Sequence, residues 1–168
     1  MLNVKKLTFA SMLIAVGVVC SAFYIPIGVA KCFPIQHMIN LLAGVLLGPL
    51  YAVSMAFATS VIRVSMGTGS LLAFPGSMIG ALLCGLFYKF SGKTTMAFLG
   101  EVIGTGFFGA IVGYYVASLF MDKSVAMFVY VIPFGISSLG GALISLVLLN
   151  ALKRTNVFET LKFETKTS

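Results

Sequence analysis

The chain has 168 residues, 60% of them hydrophobic and 9% charged, with a mean hydropathy of +1.10 and a formal net charge of +7. A soluble domain carries about 25% charged residues, so a water-soluble fold is excluded, and the period-2 alternation of a membrane β-barrel is absent. What remains is an all-α integral membrane protein; its basic residues cluster at the ends of apolar segments, as helix flanks do, and require no nucleic acid.

The first apolar run follows Lys5 and Lys6 and reaches Cys20-Ser21-Ala22, which resembles a secretory leader with its cleavage site. The run continues over 7–25, however, which is the length of a span. A lipoprotein site also fails, because Val19 stands before Cys20 where a small residue is expected. The first span is therefore expected to be retained. Five further segments follow at 35–47, 50–66, 77–90, 96–121 and 125–152. The second and fourth fall short of the ~20 residues that cross a bilayer as a helix, and short or proline-interrupted segments point to a binding site in transporter folds. Residues 1–153 are expected to form one six-helix membrane domain, and 154–168 a polar cytoplasmic tail that is frayed or interfacial.

Lys and Arg set the orientation. With the N-terminus inside, Lys5, Lys6, Lys89, Lys93, Lys153, Arg154, Lys162 and Lys166 are cytoplasmic, and only Lys31 and Lys123 lie outside. The expected topology is N-in, C-in. It brings two polar passages, 27–34 and 67–75, to the outer face, where segments two, four and six begin with their unpaired N–H groups. Small residues four apart should form the helix contacts: Gly44/Gly48, Gly76/Gly80, Gly100/Gly104, Gly109/Gly113 and Ser137/Gly141. Ser11/Ala15 on the first span is equally suited to a partner protein.

Two motifs fail their context. Gly92-Lys93-Thr94 lacks the glycine that a phosphate-binding loop needs five residues earlier, where Phe87 stands. GTGFFG at 104–109 matches a dinucleotide fingerprint but lies in an apolar helix, not after a strand. One histidine, four acidic residues and the dispersed Cys20, Cys32 and Cys84 offer no triad, metal cluster or disulfide framework. No enzyme activity and no cofactor are expected.

The remaining polar groups are the site candidates. Gln36, His37 and Asn40 share one helix side and suit a small heteroaromatic ligand or helix-to-helix hydrogen bonds. Arg63, whose burial at mid-membrane would cost about 2.5–3.5 kcal/mol, either reaches the outer headgroups or holds the 67–75 loop or the ligand. Thr68 and Ser70 lie in that loop. Glu101 within a span needs a partner or contacts ligand, Tyr115 is expected to line the upper cavity, and Phe74 and Tyr130 are candidate stacking walls.

The run FPIQHMINLLAGVLLGPLYAV, followed by IRVSMGTGSLLAFPGSMIGALLCGL, closely resembles the ThiW family, the substrate-binding S components of energy-coupling factor (ECF) vitamin transporters in bacteria. The resemblance covers nearly the whole chain. It implies an ECF S-component-like bundle of six transmembrane helices in the cell membrane, an outward-opening solute site, and a lid between the first two helices. It also implies association with a transmembrane T component and two cytoplasmic ATPases, through an Ala-x-x-x-Ala-type motif matched here by Ser11 and Ala15. The implied substrate is hydroxyethylthiazole, the thiazole precursor of thiamine. Alternatives are an S component for another thiamine-related compound, a stand-alone proton-coupled carrier using Glu101 or His37, and a lipid-modifying membrane enzyme.

Overall fold

The computed structural model describes residues 4–28, 30–122, 124–155, 158 and 161. Its helices are α1 (Val4–Val19), extended by a 3-10 turn at Cys20–Ala22, α2 (Pro34–Leu46), α3 (Pro49–Ser65), α4 (Ala73–Ser91), α5 (Thr94–Phe120) and α6 (Val131–Lys153). Between α1 and α2 the chain forms a feature not foreseen in the sequence, an antiparallel hairpin of β1 (Ile25–Ile27) and β2 (Ala30–Cys32) that pairs Ile25 with Cys32.

Four helical segments are long and apolar enough to cross a membrane, and the two shorter ones are α2 and α3. The expectation of a short fourth segment is thus corrected. That helix has 19 residues and starts at Ala73, with Pro75 inside its first turn, where a missing N–H leaves no hydrogen bond broken. The shortness of α2 has a physical reason. Its 13 residues reach about 20 Å at 1.5 Å per residue, against ~30 Å of hydrocarbon. Every residue from Ile39 to Leu46 is buried, so protein surrounds this helix and bilayer thickness does not dictate its length.

Glycines set the approach of α4 and α5. A Cβ on Gly100 would stand 2.6 Å from the Leu83 carbonyl oxygen, one on Gly104 2.8 Å from Gly80 Cα, and one on Gly109 3.0 Å from Gly76 Cα. Gly100 to Gly104 is an ordinary helical step, whereas Gly104 to Gly109 is one residue longer. The π-helical stretch Gly104–Gly109 takes up the extra residue and keeps all three glycines against α4. Gly48 departs from its expected packing role: with φ 90° it makes the turn between α2 and α3, a conformation glycine adopts without strain.

The basic flanks gather at the end of the bundle away from the hairpin. Lys6 Nζ lies 4.8 Å from the Tyr51 ring centroid, and Lys153 Nζ donates to Thr94 Oγ1 at 3.4 Å. The tail is less frayed than expected at one point, since Phe158 is buried in the core under the Lys153 ammonium. The rest of the expected tail beyond Thr155, apart from Leu161, lies outside the described residues, as do Lys123, Lys162 and Lys166 of the charge count.

Candidate functional site

Three helices, α2, α4 and α6, start at the hairpin end of the bundle, each with a proline in its first turn: Pro34, Pro75 and Pro133. Their N-terminal turns surround a cavity of about 220 Å³ and direct their partial positive ends toward it. Ala30 and Lys31 of the hairpin and residues 67–70 of the α3–α4 loop complete the enclosure.

The loop owes its shape to the end of α3. Gly67, at φ 72°, donates to the Val64 carbonyl at 3.0 Å, and Thr68 donates to the Arg63 carbonyl at 3.0 Å. This is a Schellman cap with glycine in its left-handed position. The loop is held by the backbone of Arg63, which leaves the side chain for other work. That side chain does not reach outward: Arg63 is 2% exposed, lines the cavity, and stacks its guanidinium 3.9 Å from the Phe33 ring centroid. Its Nε and Nη2 are buried without a hydrogen-bond partner.

The floor is a polar node. His37 Nδ1 lies 2.8 Å from Glu101 Oε1, which also accepts from Asn40 Nδ2 at 3.2 Å. The Thr105 hydroxyl lies 3.2 Å from the same oxygen and 2.9 Å from the Gly76 carbonyl. Asn40 Nδ2 further donates to the Ser77 carbonyl at 3.1 Å, and Asn40 Oδ1 accepts from Gln36 Nε2 at 3.3 Å. With the carboxylate as acceptor, His37 Nδ1 carries a proton, and the His37 side chain borders the cavity. Gln36 Oε1, on the side of Gly17 in α1, and Glu101 Oε2 are buried acceptors with no partner.

The roof is tied to α6. The Cys32 thiol donates to the Pro133 carbonyl at 3.0 Å and the Phe33 N–H to Ser137 Oγ at 2.7 Å. Burial of Cys32 in this contact pushes its thiol pKa up. Ser21 Oγ, at the end of the 3-10 turn, donates to Thr68 Oγ1 at 3.0 Å and joins the hairpin base to the α3–α4 loop.

Of the sequence candidates, Gln36, His37, Arg63, Thr68 and Ser70 line the cavity, Ser70 at its exposed rim. Asn40 and Glu101 lie beneath it as the support of His37. Three aromatic candidates are elsewhere. Phe74 packs on Phe57 with ring centroids 5.7 Å apart, and Tyr115 is half-exposed on the outside of α5 against Tyr114. Tyr130 is buried one layer back, behind Phe134, at 5.8 Å between centroids. The walls that the reading missed are Phe33, Phe134, Lys31 and Ser137. The repeated proline was a partial signal: Phe33 precedes Pro34 and Phe134 follows Pro133, but Phe74 precedes Pro75 and packs away from the cavity. Ser11 and Ala15 are exposed on α1, whose buried side carries Ala10, Leu13 and Gly17.

The model of a family described as thiamine-precursor transporter protein (ThiW) matches residues 7–155. Among solved structures, the chain is similar to the S-component for biotin from an ECF-type ABC transporter, with a TM-score of 0.64 and 23% sequence identity. The match covers 96% of this chain and 99% of that one, and at this identity the likeness is one of fold. Among curated protein sequences none matches the chain.

Proposed function

The chain belongs to the ThiW family of thiamine-precursor transporter proteins, and on that premise we propose that it is the S component of an ECF-type importer that captures hydroxyethylthiazole. The observation that carries this reading is the size and chemistry of the cavity. A closed apolar cavity of about 150 Å³ takes up benzene, so about 220 Å³ suits one ring with a short substituent. A two-ring vitamin such as thiamine would need more. Phe33 and Phe134 offer apolar faces for a ring, while His37 offers a hydrogen-bond partner to a ligand hydroxyl and Arg63 donates to a ring nitrogen or oxygen.

The protein does no chemistry on its ligand in this reading. It sits in the bacterial cell membrane as a six-helix domain over 1–153, N-in and C-in, with the cavity outward. The hairpin acts as the lid, and a T component with two cytoplasmic ATPases reorients the loaded subunit. Titration of the purified full chain with hydroxyethylthiazole, thiamine, the pyrimidine precursor and riboflavin tests the substrate. Saturable binding of the thiazole alone is expected. Tight binding of another compound with none of the thiazole would overturn that assignment.

A second reading, a proton-coupled carrier, is favoured by the buried His37–Glu101 pair at 2.8 Å. It requires uptake driven by a pH gradient in vesicles that lack any ATPase.

A further inference from the structure

We infer that Phe134 sets the size limit of the cavity: its side chain stands where the second ring of a larger thiazole would lie, and it restricts capture to ligands with one ring. This rests on the cavity being the capture site proposed above, and it adds a size filter, with the residue responsible, to that reading.

Most of the enclosure is fixed by groups that a ligand cannot replace. In the floor, Glu101 Oε1 lies within 3.2 Å of His37 Nδ1, Asn40 Nδ2 and Thr105 Oγ1. The roof is tied to α6 through the Cys32 thiol and the Phe33 N–H. The Phe33 ring, which also lines the cavity, is stacked on the buried Arg63 guanidinium. Phe134 is the apolar wall of a different kind. It borders the cavity and is only partly buried, and what stands behind it is another ring: Tyr130, 1% exposed, at 5.8 Å between centroids. Deleting the Phe134 ring would join its space to the cavity and make Tyr130 the new wall, one ring deeper.

The ring is also held in position. Phe134 follows Pro133 in the first turn of α6, and its N–H donates to the Tyr130 carbonyl at 3.0 Å, so the helix start sets its backbone. Its edge lies against glycines of two other helices. A Cβ on Gly76 of α4 would stand 3.0 Å from Phe134 Cε2, tighter than ordinary contact, and one on Gly113 of α5 3.5 Å from the same atom. Gly76 itself lines the cavity, so the ring edge and the cavity wall meet at one glycine. A side chain packed this closely on two helices and a second ring does not swing aside without opening a void. A ligand that needs its space is therefore refused.

The full chain in detergent or nanodiscs is titrated with three neutral compounds, which keeps charge out of the comparison. They are hydroxyethylthiazole, its analogue with a phenyl group on the carbon between nitrogen and sulfur, and its analogue with phenyl in place of the ring methyl. The wild type is expected to bind both phenyl analogues at least roughly 10-fold more weakly than the parent, the scale of a steric misfit in an apolar pocket. Phe134→Ala should bind one of them at least roughly 10-fold tighter than the wild type does, the scale of burying one phenyl group. Phe134→Leu should show part of that gain, and decides the matter if the alanine variant fails to fold. Phe74→Ala is the control: it deletes the same ring at another helix start, where Phe74 packs on Phe57 away from the cavity, and should admit neither analogue. Three results overturn the inference and leave the thiazole reading standing: a phenyl analogue that binds the wild type as tightly as the parent, exclusion of both that persists in the Phe134 variants, or equal admission by Phe74→Ala. If no thiazole binds the wild type, both fall.

Discussion

His37 shows how one side chain acquires a defined role from its hydrogen-bonding neighbours. The Glu101 carboxylate sets its tautomer, and Asn40 and Thr105 hold the carboxylate. Glu101→Gln keeps the volume but replaces an acceptor by an amide that no longer compels Nδ1 to donate. Ligand affinity is expected to fall by roughly 10-fold, the scale of a charge-assisted hydrogen bond of about 1.5 kcal/mol. His37 is the chain's single histidine, so NMR of isotope-labelled histidine reads its tautomer directly. One tautomer is expected in the wild type and a mixture in the variant. An unchanged tautomer and affinity would make Glu101 a packing group only. The sequence revealed each of these polar residues, because polar groups in an apolar chain stand out. It could not pair them, since His37 and Glu101 are far apart along the chain and no local pattern encodes their contact. The aromatic candidates failed for the opposite reason: with 15 Phe and 6 Tyr, no spacing singles out a wall. Proline neighbours do not single one out either, since Phe74 beside Pro75 packs on Phe57.

Helix existence was legible from apolar runs, and helix contacts from small residues. Both follow from the physics of lipid, which offers helices no apolar driving force and leaves close approach to decide their pairing. Helix starts were less legible. A proline reads as a boundary, yet it fits the first turn, and α4 gained residues that were assigned to a loop. The seam between α4 and α5 yields a sharp expectation. Gly104→Ala drives a methyl against backbone, 2.8 Å from Gly80 Cα and 3.0 Å from the Ile79 carbonyl oxygen, which a rotamer change cannot relieve. The expected loss is about 1–3 kcal/mol, read as a lower unfolding midpoint in detergent. Gly135→Ala is the control, because a Cβ there meets nothing within 4 Å. Equal midpoints for the two variants would mean that the seam is not close-packed.

For the molecule as a whole, the two ends of the bundle have separate tasks. One holds the cavity and its hairpin roof, and the other gathers the basic flanks. The exposed side of α1 connects them and leaves Ser11 and Ala15 uncovered. Ser11→Leu and Ala15→Leu are expected to spare thiazole binding and to reduce co-purification with the T component, since each replaces a small contact by a bulky one at a helix crossing. Normal co-purification of both would place the docking face on another helix. Orientation and partnership were read from lysine placement and from family resemblance. The hairpin was not read at all, because its strands are three residues each, too brief for alternation to register.

The wide turn in α5 bears on how the chain tolerates changes in length. Elsewhere in a helix, losing one residue swings all that follows by about 100°. Between Gly104 and Gly109 the same loss would relax the backbone to ordinary winding and bring the glycines into even step. A relative one residue shorter at this point would present an unchanged seam to its neighbour, having given up only a lipid-facing phenylalanine such as Phe107 or Phe108.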